Sequence, residues 1–176
     1  MWIDSVSPED AKGKLRALYE QQARHLGRPT DITIAGSLYP ELVDIRMRLY
    51  RVVESCPSSL TSMERQGVAL AAAAVAGSDV VTSGVRGKFL SEGGTQEQAA
   101  SLMRGETAVL NPCPATLARY ARKVATDPAS LTERDVEQCR RAGARDLDIL
   151  DANNLAGYYG YLARICLGLG IRGVPS

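Results

Sequence analysis

The sequence predicts an all-α fold, and three observations carry that expectation. Hydrophobic residues make up 45% of the 176-residue chain, but aromatics only 5%, with a single Phe. A core built from Ala, Leu and Val suits closely packed helices better than a sheet. Apolar residues recur at helical spacing along several segments. Helix-start signals divide the chain at intervals, and no segment alternates convincingly as a strand. The length suits one domain with a real core, spanning residues 1–176 with no linker.

The elements are expected in this order. Ser7-Pro8-Glu9-Asp10 reads as a helix start: Ser caps, Pro takes the first turn, and acids meet the positive dipole end. That helix should run to about Leu26 and stop at Gly27-Arg28-Pro29, with Leu15, Leu18, Tyr19 and Gln22 on one face. A short helix is expected over Ile32 to Leu38. Pro40 then opens a helix whose Leu42, Ile45, Leu49 and Val52 form an apolar stripe, ending near Cys56-Pro57. Thr61-x-x-Glu64 is a capping box for a helix that carries an Ala run to Ala76-Gly77. Asp79 is expected to cap a helix over Val80 to Leu90, weakened at Gly84 and Gly87. After a Gly93-Gly94 loop, Thr95 caps a short helix through Met103, without a reciprocal box.

Asn111-Pro112-Cys113-Pro114 reads as a rigid turn. Ala115 to Thr126 places Leu117, Tyr120, Ala121 and Val124 on one face. Thr132 caps a helix to Ala142 that Gly143 ends. A long last helix is expected from Leu147 to Gly168, followed by a loose tail over Gly170 to Ser176.

The function-bearing stretch runs from Glu64 through Gln66, the Ala run, Ser78 and Val81 to Val85. It resembles the core of alkylhydroperoxidase D-like proteins, a superfamily that includes the carboxymuconolactone decarboxylases. Those proteins carry a Glu, a small apolar helix, then Cys-x-x-Cys-x-x-x-His. With Gln66 at the Glu position, the first Cys falls on Ser78, the second on Val81 and the His on Val85. The resemblance extends to Trp2–Tyr19, Tyr39-Pro40-Glu41-Leu42, Tyr120–Pro128, Leu131–Asp151 and Tyr158–Arg164, similar to the peroxidase-related branch. It implies an all-α alkylhydroperoxidase D-like helical bundle and a homodimer or higher oligomer. The Ala run suits close helix approach, at a subunit contact or in the interior of one chain.

The parent chemistry needs a thiolate, a resolving Cys and a Glu/His proton relay. Val81 and Val85 are inert, Gln66 accepts no proton, and the single histidine, His25, lies far from the motif at a helix end. Thiol-peroxidase chemistry is therefore not expected, unless Cys56 or Cys113 swings into the old site. The cysteines at 56, 113, 139 and 166 are scattered and read as buried apolar side chains. What survives is polar. Gln66, Ser78, Asp79 and Tyr158 are the candidate catalytic residues. Thr82, Arg86, Tyr161 and Asn154 are the candidate substrate contacts: Ser78, Thr82 and Arg86 share a face at i, i+4 spacing, and a phenol can polarise a carbonyl oxygen in a dry pocket. Each has a plainer role open to it, Asp79 as a helix cap, Arg86 as a solvated charge and the tyrosines as packing.

No cofactor or metal is expected, because one His and dispersed Cys supply no ligand set. Gly84-x-x-Gly87 lacks the Lys-Ser/Thr of a phosphate loop. A net charge of +1 without a basic block argues against nucleic acid. The longest apolar run falls short of the roughly 18 residues that span a bilayer, and with no leader visible the chain is expected to be cytoplasmic.

Two functions remain open. One is a cofactor-free, non-redox enzyme of the cyclase, isomerase or lyase type, acting on a small organic substrate such as a specialised metabolite. The other is a non-catalytic oligomeric binding or assembly subunit. An enzyme should show a pocket lined by Gln66, Ser78 and the tyrosines. A scaffold should show that volume filled by Val81, Val85 and their neighbours.

Overall fold

The computed structural model describes residues 1–172, and among these there are nine α-helices and no strand. Two compact units are distinguished: Met1–Ser55 with the residues from Ile165 onwards, and Cys56–Arg164.

The first unit holds α1 (Gly13–Leu26), α2 (Asp31–Ala35) and α3 (Pro40–Glu54). The first helix begins later than its Ser-Pro start suggested. Ser7 Oγ accepts from Asp10 N–H, closing a turn, but Gly13 then takes φ +52° and α1 starts afresh there. Ala11, Leu15 and Tyr19 form a small core with Val6 and Ile34 against it. The Tyr19 hydroxyl donates to Val6 O at 2.8 Å, and Val6 N–H donates to Ser37 Oγ at 2.8 Å. The apolar stripe of α3 is present, but it faces solvent: Leu42, Ile45, Leu49 and Val52 are exposed, while Val43, Arg46 and Val53 face inward. Arg46 is tolerated inside because its guanidinium donates to Ile32 O at 2.9 Å.

The second unit is built on α4 (Ser62–Ala73), which packs mainly on α7 (Pro112–Thr126) and next on α5 (Asp79–Ser91). Thr61 and Glu64 form the expected capping box. Arg65 to Ala73 is buried throughout, so the Ala run is used inside the chain, where small side chains let neighbouring backbones come close. The next helix starts one residue earlier than expected: Ser78, not Asp79, is its N-cap residue, and Asp79 is the first residue of the helix. Thr95 caps α6 (Gln96–Arg104) through a full box with Gln98, a correction to the one-sided cap expected. Helix α8 (Glu133–Arg141) begins after Thr132, and Gly143 at φ +97° follows it.

Helix α9 (Asp146–Gly168) is tied to three others. Arg65 of α4 bonds Asp151, the Tyr120 hydroxyl of α7 donates to Asn153 Oδ1 at 3.3 Å, and Lys88 Nζ of α5 donates to the Tyr159 hydroxyl at 3.3 Å. Beyond α9 the chain is not loose at once: Ile171 is buried and its N–H donates to Cys166 O at 2.8 Å. The rest of the expected tail, residues 173–176, lies outside the described residues.

Candidate functional site

The α4–α5 hairpin carries Gln66, Ser78, Val81 and Val85, the positions the sequence comparison set against the family motif, and two contacts set its register. The Thr82 hydroxyl donates to Ala73 O at 3.2 Å. At the other end, a Cβ on Gly67 would meet the Phe89 ring at 3.3 Å. Gln66 thus lies level with the C-terminal half of α5, about 10 Å along the helix axis from Ala73 at 1.5 Å per residue. Ser78 lies at the opposite end of the hairpin. The two polar residues at the old Glu and Cys positions both sit inside the protein but do not converge on one point.

The eight candidate residues divide by burial. Gln66, Ser78, Thr82 and Tyr158 are buried; Asp79, Asn154 and Tyr161 are exposed, and Arg86 is intermediate. Ser78 makes no capping bond through its side chain. The Thr82 hydroxyl gives Ala73 O, at the end of α4, a second bond beside the one it accepts from Ala76 N–H, a structural role. Arg86 bonds the Gln96 amide oxygen. Tyr158 stacks edge-on to Tyr159, with centroids 5.5 Å apart, and lies 6.5 Å from Tyr161. Tyr159 is buried, and its hydroxyl accepts from Lys88 Nζ. Val81 and Val85 are buried.

Of the depressions on the described surface, two stand out, and neither borders any of the eight. One, of about 160 Å³, is lined by Met1, Asp31, Ile34, Ile171 and Arg172. The other, of about 130 Å³, is lined by Thr116, Arg119, Tyr120, Lys123, Asp135 and Gln138. In the second, Lys123 Nζ donates to both Asp135 oxygens at 2.8 and 2.9 Å, which cancels that pair of charges and leaves Arg119 as a further cation in the lining.

A different polar cluster was missed in the sequence. Asp148 and Asp151 are completely buried in the first turns of α9. Arg65 grips Asp151 with both arms of its guanidinium: Nε to Oδ2 and Nη2 to Oδ1, each at 2.7 Å. Asp148 accepts from Ser59 N–H at 2.6 Å, Ser59 Oγ at 2.8 Å and Arg145 N–H at 2.8 Å. Burial alone would raise the Asp148 pKa, but the bonds from Arg145 and Ser59 outweigh it and hold the carboxyl far below the ordinary range. The available signal was two aspartates three residues apart, opening a long apolar helix.

Cys56 lies against this pair. Burial and the Asp151 charge push its thiol up, and burial with the Asp148 and Glu64 charges does the same to Cys113. Cys139, fully buried, is pushed up to about 11, mainly by burial. All three shifts disfavour the thiolate, the form that acts as a nucleophile. Cys56 and Cys113 also sit by the start of α4, at the opposite end of that helix from Ser78.

The fold is that of the alkylhydroperoxidase D-like proteins. A peroxidase-related protein from Ralstonia eutropha JMP134, described as an alkylhydroperoxidase AhpD core, superposes with a TM-score of 0.83 over 98% of this chain and 91% of its own, at 16% identity. A peroxidase-related protein from Silicibacter sp. TM1040 matches at TM-score 0.76 and 20% identity over 96% and 86%. The debrominase Bmp8 matches at TM-score 0.78 and 16% identity over 98% and 91%. No family model and no curated protein matches the sequence. No helix among the described residues is long and apolar enough to cross a membrane.

Proposed function

We propose that the protein is a non-catalytic binding or assembly subunit that keeps the alkylhydroperoxidase D-like scaffold. The observation that carries this reading is the filling of the old site. Val81 and Val85 are packed at two of its four positions, and Thr82 is bonded to the backbone of α4. No depression described above opens onto Gln66 or Ser78. Substrate sites are concave and bury most of a small ligand, and both of these depressions lie away from the hairpin.

A second reading has its own support. Gln66 and Ser78 remain polar although buried in an Ala- and Val-rich interior, where a poorly satisfied polar group costs roughly 1–3 kcal/mol. The debrominase is an enzyme, and a cysteine-to-alanine variant of it has been seen holding 2,3,4-tribromopyrrole. On this reading the chain is a cofactor-free cyclase, isomerase or lyase for a small organic molecule. Gln66, Ser78 and Tyr158 would supply hydrogen bonds, and Asp79 a base.

One experiment separates the two. A strain lacking the chain is complemented with wild-type protein or with the Gln66→Leu/Ser78→Ala double variant, and small molecules are profiled by mass spectrometry. The scaffold reading expects the double variant to restore the wild-type profile. A folded double variant that leaves a precursor accumulating would overturn it in favour of the enzyme.

A further inference from the structure

We infer that α3 is the contact through which two copies of this chain associate, as an antiparallel helix pair around Ile45. This deepens the assembly reading by naming the partner, a second copy, and the surface it uses.

Leu42, Ile45, Leu49 and Val52 follow one another at spacings of three and four residues along α3, with Leu38 in the turn just before it. The helical part is the seam of a helix built to pack lengthwise on another helix. All five are exposed, from 43% at Leu42 to 69% at Val52, and Tyr39 beside them is 61% exposed. The inward face of the same helix is a different set, Val43, Arg46 and Val53, so the stripe is surplus to the core of its own unit. Counting roughly 150–200 Å² for each such side chain when fully exposed, the six present on the order of 600 Å². That approaches the ~800 Å² each partner gives to an interface of ordinary size, before the flanking side chains are added. Scattered exposed apolar residues need no explanation, but a continuous stripe of this area does.

Charge selects the occupant and its direction. At 100° per residue, Glu41, Asp44, Arg48 and Arg51 border the stripe on the side away from the core. Acids occupy the N-terminal half of this border and bases the C-terminal half. A parallel two-fold copy would put the two charged borders on opposite sides of the seam, where they never meet. An antiparallel copy sets Glu41 and Asp44 along Arg48 and Arg51 of the other, twice over by symmetry. Within one chain these groups are held only by exposed pairs: Arg48 to Asp44 at 3.0 Å, and Lys14 to Asp44 and Glu41 at 3.2 and 3.8 Å. Pairs of this kind are weak and exchange readily.

The test is sedimentation velocity on the full chain over a concentration series up to about 0.1 mM, in the weak-affinity range. A concentration-dependent dimer is expected for the wild type. Ile45→Glu places a charge on an exposed position, so the fold survives, and circular dichroism checks this. It should weaken the dimer at least tenfold. Arg48→Glu should weaken it as well, and Glu41→Arg/Arg48→Glu should restore it. A wild type that stays monomeric throughout overturns the inference. So does a dimer indifferent to Ile45→Glu, or one that the double reversal fails to rescue. None of these results bears on the Gln66/Ser78 complementation, so the two proposals fail separately.

Discussion

At the scale of single residues, the Arg65–Asp151 pair is the most consequential feature outside the old site. Both side chains are buried, and the guanidinium meets the carboxylate with two bonds of 2.7 Å. Removing one partner leaves the other charge stranded in a low-dielectric interior. Asp151→Asn is therefore expected to cost about 3–5 kcal/mol in urea unfolding, whereas Arg65→Met/Asp151→Leu should cost far less, because no charge is left unpaired. Sequence alone picked out Gln66 and Ser78, since the motif spacing is local and countable. It passed over Asp148 and Asp151, because an acid in a first helical turn usually faces water. What buries Asp151 is a residue 86 positions earlier in the chain, and no local pattern encodes that. For the same reason the sequence did not show that Gln66 and Ser78 sit at different levels of one hairpin.

At the scale of elements, helix ends were legible and helix faces less so. Thr61/Glu64 announces a start in adjacent residues, and the box forms. The α3 stripe was legible as a pattern, but a stripe does not say whether its own chain or another covers it. The glycines of the α5 region show the same division. Gly84 and Gly87 lie in a helix with open space where a Cβ would go. Gly94, just beyond the helix, has the buried Phe89 ring where its Cβ would lie. Gly84→Ala is expected to stabilise by about 0.5–1 kcal/mol, through the helix preference of Ala. Gly94→Ala should instead destabilise by about 1–3 kcal/mol, because Phe89 must shift in a packed core. Paired thermal melts read both; equal effects at the two positions would contradict the packing described.

At the scale of the whole molecule, several carboxylates are held ionised by partners. Bonds from Lys123 and the Thr132 backbone bring Asp135 down to about 2. The Arg104 side chain brings Glu106 to about 2. Asp148 lies lower still, through Arg145 and Ser59 against the effect of burial. Each pKa is lower in the folded than in the unfolded chain, so each contributes stability that is complete above the ordinary carboxylate range. That stability is lost as pH falls from about 4 through 2, where the unfolded state binds protons first. Urea midpoints should therefore be flat from neutral pH down to about 5 and then drop steeply. Asp148→Asn should make the drop shallower while lowering the plateau, and a midpoint independent of pH in the acid range would contradict these assignments.

The Arg65–Asp151 bond also has a consequence in time. During synthesis Arg65 leaves the ribosome 86 residues before the aspartate that will neutralise it. At roughly 5–20 residues per second that is about 4–17 s of waiting. Through that interval α4 has its Ala run ready to pack, yet closing on Arg65 would strand a bare cation. The buried face of α4 thus acquires its charge partner only when α9 forms, which ties the packing of the second unit to its last helix.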